Sequence, residues 1–146
     1  MTAIQNKMFD EIKLGDTAST QHTLQARDMR AWTTAFGGGG VLVEAGDIQD
    51  AAGIVTAILT ALVGSALPGP GSSIRSTSVE VRAALPINSA LTARVTVREK
   101  RAHDGVVVLA GECLDAAKQQ IASAVLEVVA PTTKNELLIR MFLEVV

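Results

Sequence analysis

The most prominent pattern in the sequence is a run of apolar residues at helical spacing between Ile48 and Ala66. Residues on the opposite side of this segment are also nonpolar or weakly polar, so the pattern predicts a helix buried on nearly all sides. Asp47 and Asp50 stand at its start, where the positive end of the helix dipole favours carboxylates. The Pro- and Gly-rich run Leu67–Gly71 is expected to end the helix.

Alternation of apolar and polar residues predicts β-strands along most of the chain that follows. It is clearest in the segment that begins at Leu91, where leucine, alanine and valine alternate with threonine and arginine. The sequence His-Asp-Gly at residues 103–105 predicts the turn of a hairpin. A helix is predicted from Arg27 to Phe36. The predicted strands are Thr17–Leu24, Ser78–Arg82, Leu91–Arg98, Val106–Leu114 and Ile121–Val129.

These elements together predict an α+β protein in which an antiparallel sheet wraps around one long central helix. About five strands are available for the sheet, and a sheet of that size has one inner face that a helix can fill. A chain of 146 residues with 48% apolar residues fits one domain with a sizeable core. This arrangement is the hotdog fold.

Composition and charge disfavour several classes of function. The formal net charge is −2 and no basic run is present, so nucleic-acid binding is not expected. Cys113 is the only cysteine, and His22 and His103 lie far apart in sequence, so neither an internal disulfide nor a metal site is expected. The sequence shows no secretory signal and no strongly apolar membrane span, so we expect a cytoplasmic protein without a membrane partner.

Several short segments between residues 9 and 131 follow one another in a specific order and spacing. They are Phe9–Ile12 with Leu14–Asp16, Asp28–Trp32, Ala51–Ile54, Leu62–Gly64 with Leu67–Gly71, Leu85–Ile87, Leu91–Val97 and Ala130–Pro131. Together they resemble the MaoC-like dehydratases and (R)-specific enoyl-CoA hydratases. The resemblance implies a single hotdog domain over residues 1–131, followed by a C-terminal extension over residues 132–146.

The resemblance implies a substrate that carries its acyl group as a thioester on coenzyme A or an acyl-carrier protein. Coenzyme A would enter as part of the substrate, with no separate cofactor. In this family a glycine near the start of the central helix offers its N–H to the thioester oxygen. Gly53 holds that place here, and Ala52 replaces the histidine that often precedes it. A homodimer or a dimer of dimers is expected, because pairing covers exposed strand edges.

The Asp–His pair with which hydratases of this family position a water has no counterpart, since residues 36–46 contain neither Asp nor His. The sequence therefore predicts a protein that binds acyl thioesters and lacks ordinary hydratase activity. The alternative is an active hydratase, dehydratase or thioesterase that uses Asp50, three residues before Gly53, or Glu44. Asp47 and Asp50 also have the spacing of helix-capping residues.

The segment after Pro131 lies beyond the resemblance. Residues 133–136 match a capping box, and apolar residues at helical spacing follow them. The pattern predicts an amphipathic helix over residues 132–146 that packs on the domain or across a dimer seam. A third interpretation of the protein follows, namely a structural or interaction module that docks a partner enzyme through this helix.

Overall fold

The computed structural model describes residues 5–37, 43–44, 47–48 and 51–134. One 3₁₀ turn, two α-helices and eight β-strands form in this part of the chain. The elements are the 3₁₀ turn Phe9–Glu11, β1 Thr17–Thr23, α1 Ala26–Phe36, β2 Val43–Glu44, β3 Asp47–Ile48, α2 Ala52–Ser65, β4 Ser73–Val81, β5 Leu85–Pro86, β6 Ala90–Arg101, β7 Val106–Leu114 and β8 Gln120–Val129.

Five of these strands form one antiparallel sheet in the order β1-β6-β7-β8-β4. Along β6, Leu91, Ala93, Val95 and Val97 are buried, while Arg94 is exposed, so one face of the sheet holds the core. The shorter strands β2, β3 and β5 form a second small sheet. The predicted α+β architecture, a five-stranded antiparallel sheet around a central helix, is confirmed.

Helix α2 packs against β1, β4, β6 and β7, and the core forms along this contact. Val55, Leu59 and Val63 are almost fully buried. Leu59 lies directly over Gly111 of β7, where a Cβ atom would stand 3.0 Å from Leu59 Cδ1. The absence of a side chain at this point of the sheet therefore lets the helix approach closely.

The expectation that α2 is buried on nearly all sides is wrong. Its second face carries only small or weakly polar side chains, and most of them are exposed in the single chain. The reason is geometric. The curved sheet covers only one side of the helix, and in the described part of the single chain no second layer of structure packs on the small residues of the other side. The exposed residues are Ala52, Gly53, Ala57, Thr60, Ala61, Gly64 and Ser65.

The predicted start of the helix is also wrong. Ile48 lies in β3, paired with Leu85 of β5, and α2 begins at Ala52. Periodicity alone does not separate a buried strand residue from a helical turn of the same polarity. Asp47 likewise lies in β3, so it is not a helix cap. Asp50 lies outside the described residues, and its predicted capping role stays a prediction.

Hydrogen bonds join the N-terminal segment of the described chain to the loop that follows α2. The backbone N–H of Lys7 donates to the carbonyl of Pro68, and the side-chain amide of Asn6 donates to the carbonyl of Pro70. Gly69 has φ +95°, and a Cβ atom there would lie 2.6 Å from the Gln5 carbonyl oxygen. A side chain at residue 69 is therefore excluded on two grounds.

The predicted C-terminal helix falls largely on residues 135–146, which lie outside the described residues. At the edge of the described chain, Lys134 forms an ion pair with Glu11. None of the helices described is long and apolar enough to cross a membrane.

Candidate functional site

The N-terminus of α2 is placed by the small sheet. Ile48 and Leu85 pair between β3 and β5, and both side chains are fully buried. Ala51, the residue before the helix, is also buried. The apolar side chains thus fix the entry of the chain into α2, while the first helical residues, Ala52 and Gly53, are exposed.

The first turn of α2 presents backbone N–H groups as hydrogen-bond donors. The first helical hydrogen bond runs from Val55 N–H to the Ala51 carbonyl, at 2.9 Å. Ala51 supplies no side-chain cap. The N–H groups of residues 52–54 precede this hydrogen bond, and a helix has no internal acceptor for such donors. Together with the helix dipole, they suit a carbonyl oxygen or another negatively polarised atom.

The indole ring of Trp32 lies against this turn. A Cβ atom on Gly53 would stand 3.1 Å from Trp32 Cζ2 and 3.6 Å from Cη2. Trp32 is partly buried, and its ring centroid lies 4.7 Å from that of Phe36 at an interplanar angle of 50°. Phe36 is 73% exposed. The start of α2 therefore has an aromatic wall contributed by α1.

Helix α1 holds these rings in place through its own local structure. At the start of α1, the Gln25 N–H donates to Asp28 Oδ2 at 2.8 Å, and the Asp28 N–H donates to the Gln25 carbonyl at 2.9 Å. Met29 is buried in the core, and Trp32 packs against the core cluster. Because residues three and four apart share one face of a helix, burial of Met29 fixes the direction in which Trp32 points.

The predicted site residues are placed as follows. Ala52 and Gly53 lie side by side in the first turn of α2 and are exposed. Glu44 lies in β2, where its backbone pairs with Asp47 of β3. Asp50 lies outside the described residues. The contact between Trp32 and Gly53 was not predicted, although the rarity of aromatic residues, with one Trp and three Phe in the chain, was a signal that could have drawn attention to Trp32.

Among the described residues, the titratable groups with shifted pKa values lie away from this turn. Hydrogen bonds lower the pKa of Glu11, Asp16 and Glu112. Desolvation raises the pKa of Asp104, but the hydrogen bond from Arg75 and nearby charges outweigh it, so the pKa of Asp104 is lowered. Burial raises the pKa of Cys113 to about 11. None of these groups belongs to α1, α2 or the β3–β5 pairing. Within the described part of the chain, no group of His, Cys, Asp and Glu side chains is arranged to hold a metal ion.

A cavity of about 500 Å³ lies elsewhere, on the outer face of the main sheet. Its lining includes Arg94 and Glu112, which form an ion pair, together with Arg98 and Thr96. Gly111 of β7 lines this cavity, and Leu59 of α2 packs against the same residue from the inner face of the sheet. The sheet therefore separates this cavity from the first turn of α2.

Comparison with known proteins identifies the fold. No protein-family model and no curated protein sequence matches the chain. Among solved structures, the unliganded R-hydratase of Pseudomonas aeruginosa is similar with a TM-score of 0.81 and 20% identity, over 90% of each chain. The (R)-hydratase of A. caviae, described as involved in PHA biosynthesis, has a TM-score of 0.75 and 16% identity, over 82% of this chain and 98% of that one.

A third similar structure is the MaoC-like dehydratase of Rhodospirillum rubrum. It has a TM-score of 0.64 and 17% identity, over 88% of this chain and 99% of that one. At these identities the similarity establishes the fold. The resemblance stated from the sequence is thereby confirmed at the level of structure, and the chain shares the hotdog fold of (R)-hydratases and MaoC-like dehydratases.

Proposed function

We propose that this protein binds acyl thioesters of coenzyme A or of an acyl-carrier protein and holds the thioester oxygen at the first turn of α2. The observation that carries the proposal is the exposed Gly53 in the first turn of a helix whose N-cap residue, Ala51, makes no side-chain hydrogen bond to that turn. The N–H groups of the first helical turn point toward the N-terminal, positive end of the helix dipole, and such donors are suited to a polarised carbonyl oxygen. Ala52 leaves the approach to this N–H open, since its side chain is a single methyl group.

The fold supports this substrate class. Structures similar to this chain include two (R)-hydratases, a MaoC-like dehydratase and a protein of the thioesterase superfamily, the last with a TM-score of 0.55. The sequence departs from hydratases in one respect, because residues 36–46 contain no Asp and no His. Hydration of a double bond needs a general base to activate water. We therefore propose binding without ordinary hydratase activity.

Two measurements on the wild-type protein test the proposal. Isothermal titration with crotonyl-CoA, and with coenzyme A as control, should show that the acyl thioester binds more tightly than free coenzyme A. Incubation with crotonyl-CoA should then leave the absorbance of its conjugated thioester unchanged. Equal affinity for thioester and coenzyme A would contradict the thioester site, and rapid loss of absorbance would contradict the lack of activity.

The alternative, an active thioester enzyme that uses Asp50 or Glu44, can also be tested. The backbones of Glu44 and Asp47 pair between β2 and β3, two strands that precede α2 in the sequence. If the protein turns over any acyl thioester, Glu44→Gln or Asp50→Asn should abolish the turnover, and an unchanged rate in both variants would exclude this alternative.

We also propose that the protein is a homodimer in which the exposed face of α2 contributes to the interface. Ala57, Thr60 and Ala61 form an exposed stripe of small side chains on α2. Strands β1 and β4 are the outer strands of the main sheet and would also pair with a second copy. Sedimentation of the wild type should give twice the monomer mass, and Ala61→Glu should shift it toward the monomer. Monomeric wild type would contradict the proposal.

The proposed location is the cytoplasm. The single cysteine, Cys113, is buried and free. Chains without disulfides are typical of reducing compartments. Coenzyme A is proposed only as part of the substrate.

A further inference from the structure

We infer that the outer face of the main sheet binds the same face of a second copy of this chain, around a two-fold axis that runs along β7. The contact joins two of the homodimers proposed above into a dimer of dimers. It uses neither the first turn of α2 nor the exposed face of that helix, so it stands apart from the thioester site and from the homodimer.

One row of residues crosses the middle of the outer face. Its register pairs are Thr17 with Thr96, Thr96 with Ala110, Ala110 with Val125, and Val125 with Ser78. Because β7 is the third of five strands, Ala110 is the central residue of the row. A two-fold axis along β7 places Ala110 opposite its own copy and exchanges β6 with β8. Thr96 of one copy then faces Val125 of the other.

The two halves of this row have complementary shapes. Val125 is 52% exposed, while its neighbours Ala124 and Leu126 are buried, so its side chain projects from the outer face. The cavity of about 500 Å³ reaches across Ala110 to Thr96 on the other half of the row. The two-fold contact therefore places each Val125 over the cavity of the other copy. The small side chain of Ala110 lets the two sheets approach at the axis.

The charges next to this row are complementary under the same axis. Arg98 of β6 lines the cavity, and within the described residues it forms no ion pair. Glu127 of β8 is paired with Val108 of β7, and its side chain is 34% exposed beside Arg101. Arg98 is the extra residue of a bulge next to the pairing of Glu99 with Val108. Exchange of β6 with β8 thus brings Arg98 of each copy toward Glu127 of the other.

A copy of this chain fits the face better than a partner of a single charge. Arg94 pairs with Glu112 and Arg101 with Glu127, so a uniformly acidic or basic surface would meet like charges here. Strands about 4.8 Å apart and about nine residues long give a five-stranded face of about 700 Å². Two such faces bury an area within the range of specific interfaces, toward its lower end. We therefore expect an association that depends on protein concentration.

Sedimentation equilibrium over a series of protein concentrations tests the inference. The mass of the wild type should rise from that of two copies toward that of four. Val125→Glu places a charge over the cavity of the other copy, so its mass should stay at two copies throughout. Leu14→Glu is the matched control, because Leu14 is 65% exposed and lies before β1, outside the sheet. Its mass should rise as in the wild type.

Reversal of one charge tests the predicted ionic contact. Arg98→Glu sets two carboxylates against each other at two symmetric places, so the concentration at which four copies form should increase by about tenfold or more. Arg98→Lys keeps the positive charge and should stay within a few-fold of the wild type. Equal effects of the two substitutions would contradict the contact with Glu127.

Chemical cross-linking tests the position of the axis directly. Ala110→Cys sets two thiols opposite each other, and a short bis-maleimide should join two chains. The native thiol of Cys113 is fully buried, so the wild type should give no such product. Adding Val125→Glu to Ala110→Cys should abolish the cross-link, because it separates the two faces.

The outcomes separate this interface from the proposed homodimer. Ala61→Glu leaves the outer face intact, so its mass should rise from one copy toward two, and this rise would support the inference even if the wild type formed no homodimer through α2. A wild-type mass that does not change with concentration would overturn the inference. A rise that survives both Val125→Glu and Arg98→Glu, or Ala110→Cys without a cross-link, would also overturn it, and each would leave the thioester site standing.

Discussion

The side-chain amide of Asn6 donates a hydrogen bond of 2.8 Å to the backbone carbonyl of Thr133, a residue 127 positions further along the chain. The same nitrogen donates to the Pro70 carbonyl at 2.9 Å. Asn6 is only 7% exposed and is the one buried polar residue in the part of the chain that the structure describes. It therefore joins the start of the domain, the loop after α2 and the end of the described chain.

Replacement of this side chain should lower the stability of the fold. Asn6→Ala removes both hydrogen bonds and leaves two carbonyl groups without their donor, so we expect the free energy of unfolding to fall by about 2 kcal/mol. Urea denaturation measures the change. Gln5→Ala is the matched control, because its side chain is exposed and adjacent in sequence. Equal stability of the two variants would contradict the role of Asn6.

The main sheet was predictable because its strands expose one face and bury the other. Along β6, period-two alternation in the sequence coincides with alternating burial, as at Val95 and Arg94. The hairpin turn at residues 103–105 was likewise predictable, since Gly105 has φ +67° and a glycine adopts that conformation without strain. Local signals of this kind do not depend on which other segment packs against them.

The start of α2 and its aromatic wall were not predictable in the same way. Ile48 and Val55 are both apolar and both fit the same helical spacing in the sequence. Only the pairing of Ile48 with Leu85 shows that Ile48 lies in a strand. The contact of Trp32 with Gly53 depends on how α1 and α2, which β2 and β3 separate along the chain, come together. Sequence spacing within α1 places Trp32 on the same face as Met29 but carries no information about that second helix.

Two glycines of α2 should respond differently to the same substitution. In the single chain a Cβ atom at Gly64 would have no neighbour within 4 Å, and alanine favours the helix, so Gly64→Ala should raise the free energy of unfolding of the monomer by about 0.5–1 kcal/mol. At Gly53 the added Cβ atom would meet the rigid indole of Trp32. Gly53→Ala should therefore give no such gain, and it should shift the emission of Trp32.

Urea denaturation followed by tryptophan emission measures both effects in one experiment. The native-state spectrum reports the displaced ring, and the midpoint reports stability. A stabilising Gly53→Ala with an unchanged native spectrum would mean that the first turn of α2 and the ring are not in contact.

The single thiol should be unreactive until the protein opens. Cys113 is fully buried in β7, and desolvation raises the pKa of its thiol to about 11, with Glu112 adding to the shift. At pH 8 about one thiol in a thousand is then ionised, and the thiolate is the reactive form. Native protein should react with a disulfide reagent far more slowly than protein in concentrated urea. Equal rates in the two states would contradict the burial of Cys113.

The ion pair between Arg94 and Glu112 should make stability depend on acid pH. Arg94 Nε donates to Glu112 Oε1 at 2.8 Å and Gln120 Nε2 donates to Oε2 at 3.1 Å, and these hydrogen bonds, the one from Arg94 above all, lower the pKa of Glu112 below its ordinary value of 4.5. A pKa that is lower in the folded state means that the contribution is present above pH 4.5. It is lost as the pH falls from there through the folded-state pKa.

Glu112→Gln should therefore lower the free energy of unfolding by about 0.5 kcal/mol at neutral pH, as is typical of a partly exposed ion pair. The difference from wild type should shrink as the pH falls below 4.5, because protonation removes the same charge from the wild-type side chain. Glu99→Gln, which removes an exposed carboxyl from β6, controls for the change in net charge. Urea denaturation between pH 3 and pH 7 measures all three proteins, and a difference for Glu112→Gln that stays constant over this range would show that the charge of Glu112 does not stabilise the sheet.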